Sequence, residues 1–132
     1  SQLDRISCPD LREGVEKGYY DVQSHGLNHL NLTKIDNQKL DRELLESQKQ
    51  LKTCLKDLAS EKTVASHIAY PFGAINSSTR KRVAQYYLTG YLYNSRILRP
   101  SFLKDRYLIP RLSVDDKMSV ARLKVLAAGG WL

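Results

Sequence analysis

Leucines set the clearest rhythm in the chain. Between Asp36 and Leu58, Leu40, Leu44, Leu51, Leu55 and Leu58 recur at intervals of three, four or seven, with mostly polar residues between them. Those intervals place them along one stripe of a helix, so a long amphipathic helix is predicted here, lying on an apolar surface. Asp36 is placed to cap its start. A shorter helix is predicted over Pro9 to Lys17, where Leu11 and Val15 lie four apart. Ser7 suits its cap, Pro9 its first turn and Gly18 its exit.

Elsewhere the period drops to two. Tyr20 and Val22 alternate with Asp21 and Gln23, which predicts an extended segment from Tyr19 to Ser24. A polar, histidine-bearing loop follows from His25 to Lys34. Thr63 to Tyr70 reads as a strand closed by Pro71-Phe72-Gly73, and Thr89 to Tyr93 as a short strand. Tyr107 to Val114 contains Pro110, which suits an edge or irregular strand. Helices are predicted from Asn76 or Ser77 to about Tyr87, and from Ser119 to Ala128 before Gly129-Gly130. Asn94 to Arg106 has few periodic cues and reads as a loop.

The alternation of helices and strands predicts an α/β architecture, with parallel strands joined by helical crossovers. Ligands in such folds gather at the carboxyl ends of strands, where the loops after Ser24, Tyr70 and Tyr93 fall. A closed barrel of this kind takes about 250 residues. The 132 residues here hold at most four strands, so the expectation is part of a barrel, or a trimmed one, forming a single domain over residues 1–132.

Composition narrows the picture modestly. Hydrophobic residues make up 42% of the chain, enough for one core, and no run approaches the length of about 18 apolar residues that spans a bilayer. The first residues are polar and charged, so no signal peptide is read at Ser1; any such segment is expected to have been removed or never to have existed. The formal charge of +7 favours anionic partners. The cations are nevertheless dispersed, with Arg80-Lys81-Arg82 the one tight run. No RNA-binding or zinc-finger spacing accompanies it, so nucleic acid is not the expected partner. Cys8 and Cys54 could pair in an oxidising compartment, but two cysteines make no disulfide framework, and two separate, half-buried thiols is the favoured reading.

The sharpest chemical feature is Ser24-His25-Gly26-Leu27-Asn28-His29-Leu30-Asn31-Leu32. Two histidines four apart at a strand end point inward together when the loop makes one turn. Neutral imidazoles are good zinc ligands, and a third protein ligand plus water would complete a catalytic site.

These residues resemble the second motif of the polysaccharide deacetylases, a carbohydrate esterase group that includes chitooligosaccharide deacetylases. Glu43-Leu44 and Ser47 in the following helix fit the same pattern, and Ile68-Ala69-Tyr70-Pro71-Phe72-Gly73 resembles the third motif. Gly90-Tyr91 is similar to the pair that begins the next strand. Ile109-Pro110-Arg111-Leu112, with Ser119 beyond, resembles the tail of biofilm-type poly-N-acetylglucosamine deacetylases. The resemblance runs from about Leu11 to Ala128 and implies part of a distorted (β/α) barrel with its first strand or strands missing.

It also implies a mechanism. A divalent metal, most often zinc, is held by two histidines and an aspartate, while a second aspartate acts as base on a water. A backbone N–H helps stabilise the oxyanion, and a late histidine protonates the leaving amine. Carried over by position, His25 and His29 are the implied metal ligands, Phe72 supplies the backbone N–H, and Tyr70 and Pro71 bind substrate. The implied substrate is an N-acetylated polysaccharide: poly-N-acetylglucosamine, a chitin-like polymer or a peptidoglycan glycan. The implied location is extracellular, cell-surface or periplasmic.

The chain departs from the family pattern in three places. No Asp-Asp pair precedes His25, since Asp4, Asp10 and Asp21 are isolated; no histidine follows His67; and Ala69 stands where many members have arginine. The chain therefore reads as the later part of a catalytic domain, with little or no activity alone, or as a non-catalytic glycan-binding relative. Asp115-Asp116 would supply a late aspartate pair in a permuted relative, but reads as a polar turn before the last helix. His67 reads as a satisfied core or edge histidine. Tyr86, Tyr87, Tyr91 and Tyr93 read as packing residues rather than sugar platforms, and Trp131 as a terminal plug.

Overall fold

A side-chain oxygen opens each α-helix of the computed structural model, which describes residues 6–58, 63–93, 105–111 and 113–128. In α1 (Cys8–Glu16) the Ser7 hydroxyl accepts from the Asp10 N–H, and the Asp10 carboxylate accepts in return from the Ser7 N–H at 3.0 Å. Asp36 accepts from the Lys39 N–H at 2.8 Å to start α2 (Asn37–Cys54). Asn76 does the same for Thr79 at 2.9 Å in α3 (Ser77–Val83), and Ser119 for Arg122 at 3.1 Å in α4 (Val120–Ala127).

α2 stops short of the expected Leu58. Arg12 reaches across from α1 and donates to the carbonyls of Cys54 and Lys56 at 2.8 and 2.9 Å, and Asp57 then takes a left-handed φ of 67° that no helix accommodates. Leu58 still packs on the apolar cluster beneath the helix.

The regular strands are shorter than predicted. β1 (His67–Ala69) and β2 (Thr89–Tyr91) pair in parallel, with His67 opposite Thr89, Ile68 opposite Gly90 and Ala69 opposite Tyr91. Single-residue parallel bridges extend the sheet on both sides, from Ser24 to Ile68 and from Tyr91 to Ile109. Four parallel segments therefore lie side by side in chain order. β1 cannot start at Thr63, because Ser66 folds back to the Thr63 carbonyl and Ala65 adopts a φ of 52°. The Tyr19–Gln23 segment and the Ile109 segment contribute extended backbone without regular ladders.

The sheet's two faces differ. Ile68 and Tyr70 point into the main core with Leu32, Leu40, Leu44, Val83, Tyr87 and Tyr107. A fully buried leucine of this kind contributes roughly 1.5–3 kcal/mol. Val22, Leu55, Val64 and Ala65 form a second cluster, to which Leu11 and Val15 of α1 and Leu51 of α2 add. The opposite sheet face, carrying His67, Ala69 and Tyr91, is only half-buried.

One sequence expectation is corrected here. Cys8 and Cys54 are not separate thiols but form a disulfide, with Cα atoms 5.8 Å apart. Leu11 and Val15 pack on the same buried cluster as Leu51 and Leu58, which brings the start of α1 onto the end of α2, a proximity that spacing along the chain does not reveal. Among the described residues no helix is long and apolar enough to cross a membrane. Trp131 and most of the Asn94–Arg106 loop lie outside the described residues.

Candidate functional site

The site begins where the Ser24 segment ends. The Ser24 N–H donates to the His67 carbonyl, and the Ser24 carbonyl accepts from the Ala69 N–H, both at 3.0 Å. Its hydroxyl is buried against Ser47 at 2.9 Å and Tyr87 at 3.0 Å, and the Tyr87 hydroxyl donates onward to the Leu44 carbonyl at 2.8 Å. This closed network between sheet and α2 fixes the point from which His25 projects. Burial raises the Tyr87 pKa above the ordinary tyrosine value, so the network stays neutral.

His25 is the first exposed residue beyond that anchor. Its Nδ1 lies 2.8 Å from the Ala69 carbonyl oxygen. A carbonyl only accepts, so Nδ1 carries the hydrogen, and Nε2 is the ring nitrogen placed to offer a lone pair to a cation.

The loop from His25 to His29 is shaped by one carboxylate. Glu43, only 2% exposed on α2, accepts from the backbone N–H groups of Leu27 and Asn28 at 3.1 and 2.9 Å. Its other oxygen accepts from the Asn28 side-chain amide at 2.5 Å. Gly26 at φ 81° and His29 at φ 55° supply the two left-handed positions that let the loop close in one turn. The His25 and His29 rings then stand with centroids 5.0 Å apart, tilted by 46°. A 3-10 turn at Leu32–Lys34, capped by Asn31, seats the buried Leu32 in the core and ends the loop.

The Pro71–Gly73 turn at the carboxyl end of β1 closes the site's other side. Phe72 sits at φ 60° and Gly73 at φ 62°, and the Phe72 ring packs 4.7 Å from the His29 ring. Among the described residues the Phe72 N–H meets no acceptor. Tyr70 precedes this turn and Pro71 opens it, and both are buried. Tyr70 donates to the Tyr107 carbonyl at 2.7 Å, and burial pushes its pKa well above the ordinary tyrosine value. It fits only because residue 90 is glycine: a Cβ there would lie 1.7 Å from the Tyr70 hydroxyl.

An open cleft of about 520 Å³ runs along the half-buried sheet face, lined by His25, His67, Ala69, Tyr91, Asp21 and Arg111 among others. His67 is satisfied there, with Nδ1 2.6 Å from the Thr89 hydroxyl and its ring edge-on to Tyr91. Asp21 accepts from the Gln23 amide at 2.6 Å. Asp115 and Asp116 lie far along the chain in an exposed turn before α4, where Asp115 accepts from the Lys117 N–H. Two of the three cations in the basic run are paired, Arg80 with Asp105 at 2.5 Å and Arg82 with Asp41 at 2.8 Å. The second is an ion pair of poor hydrogen-bond direction, since neither atom counts as hydrogen-bonded.

His25 and His29 fit the chemistry of two imidazole ligands: adjacent, exposed and, for His25, with Nδ1 held by the Ala69 carbonyl. The set stops at two. Among the described residues no group of three or more His, Cys, Asp or Glu side chains is gathered to hold a metal ion.

The chain matches the family described as polysaccharide deacetylase over residues 7–91, a span that contains His25, Glu43, His29 and Phe72. The chain belongs to the polysaccharide deacetylase family. Solved deacetylase structures extend the likeness over nearly all of it. A polysaccharide deacetylase from Bacillus cereus aligns with 95% of this chain at a TM-score of 0.77 and 21% identity. A Streptococcus pyogenes deacetylase, solved with acetate, aligns with 94% at 0.77 and 21%. A de-N-acetylase from Aggregatibacter actinomycetemcomitans aligns with 92% at 0.60 and 14%. At these identities the likeness is one of fold. This deacetylase-family chain spans 38%, 51% and 53% of their respective lengths. No curated protein matches it in sequence.

Two contributors were not singled out by sequence reasoning. Glu43 figured there only as part of a motif, and its grip on the histidine loop crosses fifteen residues. Gly90 likewise figured only as half of the Gly90-Tyr91 pair, which gave no sign of its being the slot for Tyr70.

Proposed function

We propose that this chain supplies the histidine half of a metal-dependent site that removes N-acetyl groups from a polysaccharide. The observation that carries the reading is the His25–His29 pair, set 5.0 Å apart with His25 fixed in the Nδ1–H tautomer by the Ala69 carbonyl. His25 and His29 would hold the metal, zinc being the best match to two imidazoles. When bound, zinc supplies Lewis acidity toward water and the acetamide oxygen. Glu43 keeps the histidine loop in its one-turn shape. The Phe72 N–H, which meets no acceptor among the described residues, is the donor for charge developing on the acetamide oxygen. Tyr70 and Pro71 support substrate binding by anchoring the base of that turn in the core.

The aspartates and the late acid of the family mechanism are expected from polypeptide beyond these residues, and the 132-residue chain by itself is expected to release little or no acetate. The two-member ligand set favours one second reading, a glycan-binding relative without catalysis. An N-acetylglucosamine polymer is the proposed substrate class. The resemblance of Ile109-Pro110-Arg111 to the biofilm-type tail is what supports that type; in the fold Ile109 adds the last parallel segment beside Tyr91. The Cys8–Cys54 disulfide supports an extracellular, cell-surface or periplasmic location, where such bonds persist.

Competitive zinc titration tests the metal assignment. His25→Ala is expected to abolish zinc binding by this chain, and unchanged affinity in that variant would remove the basis of the reading.

A further inference from the structure

Two large aromatic side chains stand open at the mouth of this site. Phe72 is 65% exposed and Tyr93 69% exposed, while the residues around them, Tyr70, Pro71 and Gly90, are buried. Phe72 leaves the turn after β1 and Tyr93 leaves the segment after β2, so both lie at carboxyl ends of adjacent parallel strands. Gly73 joins the two loops: a Cβ on it would sit 2.9 Å from the Tyr93 Cβ and 3.0 Å from the Tyr93 nitrogen.

Neither ring is loosely placed. The Phe72 ring packs 4.7 Å from His29. The Arg111 guanidinium lies 5.7 Å from the centre of the Tyr93 ring, and its Nε donates to the Leu92 carbonyl at 2.8 Å. Through Arg111 and through His29 beside His25, both rings adjoin residues that line the cleft. The matching ligand is flat and apolar on one face and rich in hydroxyls at its edge. A pyranose ring has that form, and Arg111 offers guanidinium N–H donors to its rim.

Building on the deacetylase reading, we propose that Phe72 and Tyr93 form a stacking platform for a sugar ring of the N-acetylated glycan, seating it beside His29. Tyr93 touches neither the metal nor the acetamide in this scheme, so it is a substrate-positioning residue.

The test is calorimetric titration of the full protein with N-acetylated chitopentaose, with zinc affinity measured in parallel. Tyr93→Ala is expected to weaken oligosaccharide binding roughly tenfold, while Tyr93→Phe, which keeps the ring, stays within about twofold of wild type. Zinc affinity is expected to be unchanged in both variants. Wild-type affinity for the pentamer in Tyr93→Ala would overturn the platform, as would no measurable binding by the wild type. The His25→Ala zinc titration fails or succeeds independently of either result, so a failed platform and a failed metal site are told apart.

Discussion

Glu43 and Asn28 are joined twice: one carboxylate oxygen accepts from the Asn28 backbone N–H at 2.9 Å, the other from its side-chain amide at 2.5 Å. With Leu27 as a third donor, this buried carboxylate sets the curvature of the loop that brings His29 to His25. Glu43→Ala leaves these donors without their partner and is expected to cost about 3 kcal/mol in denaturant unfolding. It is also expected to weaken zinc binding more than tenfold, roughly, because the histidines lose their spacing. Glu43→Gln keeps one acceptor oxygen and should fall between the two.

The Tyr70–Gly90 contact leaves no room for a methyl group. Gly90→Ala is expected to destabilise the fold by about 3 kcal/mol, since the obstructing atoms belong to a fully buried ring locked to Tyr107. Thermal unfolding of Gly90→Ala beside Gly90→Ala/Tyr70→Leu checks the cause. A second substitution that removes the ring's far end should recover part of the loss; no recovery would place the strain elsewhere.

Two buried tyrosines predict alkaline sensitivity. Burial raises both Tyr70 and Tyr87 above the ordinary value of 10.0, so the folded state keeps protons that the unfolded chain releases. Stability from these groups is fully present below pH 10.0 and falls as pH rises above it. Each retained proton contributes a slope of about 1.4 kcal/mol per pH unit. Tyr70→Phe should lower the slope and cost about 1 kcal/mol at neutral pH through the lost hydrogen bond to Tyr107. Denaturant melts between pH 8 and 11, roughly, read this directly.

Reduction should loosen α1. The Cys8–Cys54 bond closes a separation of 46 residues, worth about 4 kcal/mol in a chain-entropy account. The Cys8→Ser/Cys54→Ser variant is expected to lose stability of that order and to gain amide exchange first in α1, whose apolar contacts are Leu11 and Val15. Exchange unchanged in α1 would show that packing alone holds it.

What the sequence disclosed follows the range of the interactions involved. The α2 leucine stripe and the caps at Ser7 and Asp36 are local, and the structure repeats them closely. Strand lengths depend on partners far along the chain, so the expected Thr63–Tyr70 strand reduces to His67–Ala69. Cys8 and Cys54 meet only because two helices pack, which no spacing rule reports. At the site, the motif resemblance names His25, His29 and Phe72, and the structure gathers their rings in sequence, His25 to His29 to Phe72. Tyr70 and Pro71 belong to the same motif but are buried beneath it, because the left-handed turn that presents Phe72 takes its supporting residues inward. Tyr93, read from the sequence as a packing residue, is exposed.

The most direct measurement is acetate release from N-acetylated chitopentaose by the protein at its native length, supplied with zinc, for wild type and His25→Ala. The account predicts release by the wild type and background levels in the variant. Equal release from both, or none from zinc-loaded wild type, would contradict it.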